Sequence, residues 1–236
     1  MDRLEKKLDI HNPDWLMSAN EKLCLIGLLN LLKPKNSIEF GFHKGGATHW
    51  LAELAESVIT VDVNQAVIEA QNRYCNVTSW NFPTSEAIER IRKEKRFFDF
   101  AIIDADHSRN AVARDLQGIL PFADLIMLHD SSNPDCRRGM LDILENQDSH
   151  AYNLDLINSS IKHDGLWGGI GVAFRSKKGG WMKEFEKEFS PYNYLLAHHS
   201  FQLNKKFYST ISKFSRSTRK VLDFLRIKLG NLSNKL

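Results

Sequence analysis

Cysteine is scarce in this chain and never clustered. The three cysteines, Cys24, Cys75 and Cys136, lie far apart, and no C-x-x-C spacing occurs. That excludes a zinc knuckle or a disulfide framework and fits a reducing compartment. Long apolar runs are also missing. The most hydrophobic stretch, Leu23 to Leu32, falls well short of the ~20 residues a bilayer span needs. The opening MDRLEKKLD is too charged for a secretory signal. No internal repeat and no low-complexity tract is visible, which removes solenoids and fibrous arrays. The expectation is a soluble, cytoplasmic protein, with a membrane-peripheral location left open by its basic end.

What is present is enough for a sizeable core. The chain has 236 residues, of which 42% are hydrophobic, and fits one domain with extensions. Its net charge of +3 conceals an asymmetry. The segment from Phe201 to Leu236 holds nine of the 32 Lys and Arg residues and one of the 29 acids, so the rest of the chain is net acidic. Within that tail, Val221, Leu222, Leu225 and Leu229 fall on one side of a helical pattern, with Arg219, Lys220, Arg226 and Lys228 around them. A basic amphipathic helix of this kind points to an anionic membrane surface or another polyanion as partner. Specific nucleic-acid binding is not expected, and a homo-oligomer is left open.

Between the termini, apolar runs alternate with amphipathic ones. A helix is expected over Asp14 to Leu32, entered at Asn12-Pro13 and ended by Lys33-Pro34. Strand patterns follow at Ser37–Gly41, Ser57–Asp62, Asn76–Trp80, Phe98–Asp104 and Phe122–Asp130, each succeeded by a helical pattern. Two further strands are expected at Tyr152–Ile157 and Gly169–Phe174. The alternation predicts an α/β fold, a Rossmann-like, seven-stranded and mostly parallel sheet with helices on both faces. The division expected is a helical extension over 1–36, a central domain over 37–200 and the basic tail over 201–236.

The turn after the first strand reads Glu39-Phe40-Gly41-Phe42-His43-Lys44-Gly45-Gly46, and the next strand ends at Asp62. In open α/β sheets ligands bind outside the carboxyl ends of the strands, where an acid such as Asp62 can take both ribose hydroxyls of a nucleoside. Gly41 lets the backbone turn sharply, and Gly45 and Gly46 relieve crowding at the helix start. His43 stands where the dinucleotide fingerprint wants the glycine that admits a pyrophosphate. Glu39 would repel a pyrophosphate but suits an ammonium or sulfonium group.

A second constellation follows. The fourth strand runs into Asp104, Asp106 and His107, and the fifth into His129 and Asp130. Adjacent strand ends lie about 5 Å apart, so these groups can converge. Carboxylate ligands with open positions suit a hard divalent cation such as Mg²⁺.

The E-x-G-x-x-x-G turn with an acid at the next strand end resembles class I S-adenosylmethionine (SAM)-dependent methyltransferases. The spacing of Asp104 and Asp130 resembles the small metal-dependent O-methyltransferases of the catechol and caffeoyl-CoA type. The resemblance implies that Gly41, His43 and Gly45 pack against the methionine part of SAM. It also implies that Asp62 binds ribose, that Glu39 lies near the amino end, and that Asp106 lies beside SAM. Asp104 and Asp130 match the metal carboxylates; Ser131 stands where that family has an asparagine ligand. Thr84, in Pro83-Thr84-Ser85, stands where an acid often reaches adenine. His107 occupies the place of a general-base lysine, and a histidine there resembles sugar O-methyltransferases. With Asp104 it forms the expected catalytic pair, and a hydroxyl of a sugar, glycan or small metabolite is the expected acceptor. Two other classes remain open: a metal-independent methyltransferase on nitrogen or oxygen, and a non-catalytic binding or scaffold protein using the tail.

Overall fold

The computed structural model describes residues 15–147, 149–157 and 168–175. The expected basic helix of the tail, and most of the Asn158–Gly168 connection, lie outside the described residues. Along the described chain run helix α1 (Ala19–Leu32), strand β1 (Asn36–Phe40), α2 (Gly46–Leu54), β2 (Ser57–Val61), α3 (Ile68–Arg73) and β3 (Val77–Trp80). They continue through α4 (Thr84–Glu94), β4 (Phe98–Ile103), α5 (Arg109–Ile119), β5 (Ala123–His129), α6 (Pro134–Leu144), β6 (His150–Ile157) and β7 (Ile170–Arg175).

The strands form one seven-stranded sheet in the order β3-β2-β1-β4-β5-β7-β6. The first five pair in parallel, whereas β7 runs antiparallel to both β5 and β6. Strand order reverses between β1 and β4, the place where an open α/β sheet leaves a crevice at its carboxyl edge.

The period of two along each strand sorts the core into two layers. Ile38 and Phe40 of β1 point into one cluster with Ala87 and Ile91 of α4, Leu116 of α5 and Met140 of α6. The opposite face packs Phe100, Ile102 and Met127 against Leu25, Leu28 and Leu29 of α1, Leu51 of α2 and Ala70 of α3. Glu39, one residue out of phase with Ile38 and Phe40, therefore lies on the α1–α2–α3 side, as does Thr60 of β2. Helix α1 starts later than its apolar spacing suggests, because Ser18 caps it. The Ser18 hydroxyl accepts from Glu21 N at 3.4 Å while the Glu21 carboxylate accepts from Ser18 N at 2.6 Å. Residues Trp15 to Met17 are thereby left outside the helix. Four α1 side chains, Cys24, Leu25, Leu28 and Leu29, are fully buried, so this helix is part of the sheet's cover. Among the described residues no helix is long and apolar enough to cross a membrane.

Candidate active site

A cavity of about 760 Å³ opens over the carboxyl ends of β1, β2, β4 and β5. Its size is within the usual range for small-molecule sites. Of the residues singled out in the sequence, Glu39, Gly41, His43, Asp62, Thr84, Asp104, Asp106, His107 and Asp130 all line it. Gly45 and Ser131 do not. Gly45 serves instead as the N-cap residue of α2.

Gly41 has φ +100, and a Cβ there would stand 2.1 Å from the Asp104 carbonyl oxygen. Its role is thus to let β1 close onto the end of β4, where Asp104 N also donates to Phe40 O at 2.8 Å. Asp62 supports the same turn. One carboxylate oxygen accepts from Phe42 N (2.8 Å) and His43 N (3.2 Å), and the other accepts from Asn64 N at 2.8 Å. Glu39 is 1% exposed and accepts from the hydroxyls of Thr48 and Thr60. Burial pushes its carboxyl up to about 8, against those two hydrogen bonds and aided by the charges of Asp104 and Asp62. At neutral pH this acid is mostly uncharged.

Thr84 is engaged in a structural contact. It donates to Asp115 Oδ1 at 2.8 Å and accepts from Arg114 Nη2 at 3.0 Å. Asp106 is exposed, and its carboxylate accepts from Ser108 N at 2.8 Å just ahead of α5.

The β4–β5 edge is denser in charge. Asp104, His107 and Asp130 each offer a ligand atom, and these atoms lie within 4.8 Å of one another. Nε2 of His107 is 2.9 Å from Asp130 Oδ2 and 3.5 Å from Asp104 Oδ1. Nδ1 of His129 is 2.9 Å from Asp104 Oδ1. Asp130 has φ +54, a strained backbone at the strand end, of the kind that clusters at functional sites. Burial works against ionisation of Asp104, but the charges and hydrogen bonds of His129 and His107 hold its carboxyl down at about 2. Hydrogen bonds to Asp104 and Asp130 raise the His107 imidazole to about 10. Burial disfavours a charged His129, yet Asp104, Glu21 and Asp130 keep it well above the usual histidine value.

A divalent cation fits this donor set. Two carboxylates and an imidazole converge, and Oδ1 of Asp130 is buried without a hydrogen-bond partner among the described residues. Ser131 fits less well. It is 1% exposed, its hydroxyl has no hydrogen-bond partner among the described residues, and it sits behind Gly169. His107 completes the cluster, and with the two carboxylates as the cation's ligands its Nε2 would stay available to accept a proton.

His129 was placed at the fifth strand end beside Asp130, without an assigned partner. One contributor escaped the sequence reading. Glu21, in α1, lies 3.8 Å from Nε2 of His129. The S-x-x-E signature of a helix cap, Ser18 to Glu21, was the available signal for it.

No family model matches the chain. Rhamnosyl O-methyltransferases of Mycobacterium tuberculosis and Mycobacterium bovis are 28% identical over an alignment covering 44% of this chain and 49% of theirs. The chain spans about half the length of these curated relatives. Among solved structures, an O-methyltransferase from Bacillus cereus in complex with S-adenosylhomocysteine (SAH) superposes with a TM-score of 0.56 at 20% identity, covering 74% of this chain and 90% of that one. The O-methyltransferase TomG from Streptomyces achromogenes, in complex with SAM, superposes with a TM-score of 0.52 at 16% identity, covering 72% and 85%. The protein has the Rossmann-like fold of SAM-dependent O-methyltransferases and resembles members of that group in part of its sequence.

Proposed function

We propose that this protein is a SAM-dependent O-methyltransferase that acts on a sugar or related hydroxyl with the help of a divalent cation, Mg²⁺ in the first instance. The observation that carries the reading is the convergence of Asp104, His107 and Asp130 in the cavity that also holds Glu39 and Asp62. The rhamnosyl acceptor named for the mycobacterial relatives supports a sugar hydroxyl as the target class.

Asp62 would receive the ribose through Oδ1, which gives one lone pair to Asn64 N and keeps the other, whereas Oδ2 spends both on Phe42 N and His43 N. Glu39 lies beneath the same end of the cavity and would face the cationic part of the donor. SAM supplies the methyl group as an electrophile on a positively charged sulfur. Asp104 and Asp130 would hold the cation, which polarises the acceptor hydroxyl and offsets the two carboxylate charges. His107 would take the hydroxyl proton at Nε2. In the ligand-free arrangement its own proton is retained to about pH 10, so the imidazole serves as a base only when the charge of Asp104 and Asp130 is balanced by something else.

The test pairs two measurements. Calorimetry with SAH should give binding in the micromolar range, and labelled SAM with Mg²⁺ should methylate members of a panel of free and lipid-linked rhamnosides and hexosides. Absence of SAH binding at high micromolar ligand would remove the enzyme reading and favour a scaffold.

A second reading has its own observation. His107 already bridges Asp104 and Asp130, which compensates both carboxylates without an ion and suits a metal-independent transferase. Turnover unchanged by chelation would select it.

A further inference from the structure

Glu21 has no part in the chemistry above, yet it is a carboxylate 2% exposed beside it. Burying a carboxylate is costly unless its oxygens are paired. Here they meet groups from three separate segments. Oε2 accepts from Ser18 N at 2.6 Å and closes the cap of α1. Oε1 accepts from the backbone N–H of Gly169, at the entry to β7, and lies 3.8 Å from Nε2 of His129. Gly169 can present that N–H because it has φ +97 and no side chain; a Cβ would stand 2.5 Å from Ser132 Oγ. A helix cap needs one carboxylate oxygen only. The second faces the end of β5.

On the far side of the ring, Nδ1 of His129 is 2.9 Å from Asp104 Oδ1 and 3.7 Å from Asp130 Oδ1. His129 is 7% exposed. An imidazole with carboxylates facing both nitrogens cannot turn over without giving one of them up. The ring therefore fixes where Asp104 Oδ1 points, and Glu21, at 3.8 Å from an Nε2 that has no hydrogen-bond partner among the described residues, acts on the ring by charge.

We propose that Glu21 is a positioning residue that, through His129, sets the orientation in which Asp104 and Asp130 take up a divalent cation. This inference rests on the cation-assisted reading above. Outer partners of metal-binding groups are typically worth about 10- to 100-fold in metal affinity or activity.

The test uses the full chain with SAH bound and Mn²⁺ as the probe, free Mn²⁺ being read by electron paramagnetic resonance. Three variants are compared with wild type: Glu21→Gln, His129→Gln and the double variant. Glutamine at 21 keeps an oxygen for Ser18 or Gly169 but removes the charge that faces His129. Each single variant is expected to weaken Mn²⁺ binding about 10-fold or more, with SAH affinity unchanged and kcat lowered at constant KM for SAM. The double variant should bind Mn²⁺ no worse than His129→Gln alone, because both act along one path. Wild-type Mn²⁺ affinity in Glu21→Gln, or additive losses in the double variant, overturns the inference and leaves the cation-assisted reading standing. A wild-type chain that binds no Mn²⁺ overturns both. If Glu21→Gln loses SAH binding through misfolding, His129→Gln decides: intact Mn²⁺ affinity there refutes the proposal, and a selective loss supports it.

Discussion

At the β1–β2 end of the cavity, acids are compensated by neutral donors from the chain's own turn and threonines. At the β4–β5 end they are compensated by imidazoles. Asp62 is wrapped by three backbone N–H groups, and Glu39 is tucked under two threonine hydroxyls and mostly protonated. Asp104 and Asp130 face His107 and His129 instead. The first arrangement holds a loop in shape and lets a ligand's charge set the state of Glu39. The second keeps charges close together in a partly buried place, where a cation can exchange with a proton. On the proposed reading, one end holds the methyl donor and the other carries the reaction.

The largest effect that would separate the two ends is loss of the paired carboxylates. Asp104→Asn with Asp130→Asn should lower methyl transfer by roughly 1,000-fold or more, several kcal/mol of barrier, while SAH binding by calorimetry stays within about threefold. Equal damage to both measurements would show that the two ends are not independent.

Next is the seam between them. Gly41→Ala should destabilise the fold by about 2–4 kcal/mol in urea denaturation, because the added Cβ meets the Asp104 carbonyl at 2.1 Å and the residue must keep φ +100. A cost under about 1 kcal/mol would mean that the β1–β4 junction relaxes freely.

The third sharpens the donor end. Glu39 has a folded-state value of about 8 against an ordinary 4.5. The native chain keeps a proton that the unfolded chain releases, so this contribution is fully present below pH 4.5 and is lost as pH rises toward 8. Glu39→Gln should remove that slope. Relative to the variant, wild type should lose on the order of a few kcal/mol of unfolding free energy across that window. Parallel pH profiles for the two proteins would contradict the buried, protonated Glu39.

The smallest effect concerns α1. Ser18→Ala should cost about 1 kcal/mol of stability in the same denaturation measurement, with activity retained wherever the protein stays folded. A much larger loss of activity than of stability would implicate the cap in the chemistry.

Local patterns carried most of the architecture. Alternating apolar and amphipathic runs placed the parallel strands within a residue or two, because strands buried on both faces read as continuous apolar runs. The Glu39–Gly41 turn, Asp62, and the Asp104 and Asp130 strand ends were legible since the carboxyl edge of such a sheet collects ligand-binding groups by topology. Ser131 was harder. The family resemblance implied a ligand at its place, but the positive φ of Asp130 turns the backbone there, and Ser131 ends beneath Gly169. Thr84 was visible as a departure, while its commitment to Asp115 is a contact across 31 positions that no local pattern encodes. Glu21 shows the limit most clearly. Its capping role could be read from S-x-x-E; its contacts with His129 and with Gly169, 148 positions away, required the fold. Residues 1–36 read as an extension, yet α1 brings both core leucines and this carboxylate to the sheet.

Turnover in excess EDTA, followed by return of Mg²⁺, tests the central claim most directly, using labelled SAM and an acceptor found in the sugar panel. The expected result is loss of transfer on chelation and recovery when Mg²⁺ is restored, with SAH binding present throughout. Undiminished turnover in EDTA would contradict it and leave His107 and His129, facing Asp104 and Asp130, as the counter-charges in a metal-free reaction.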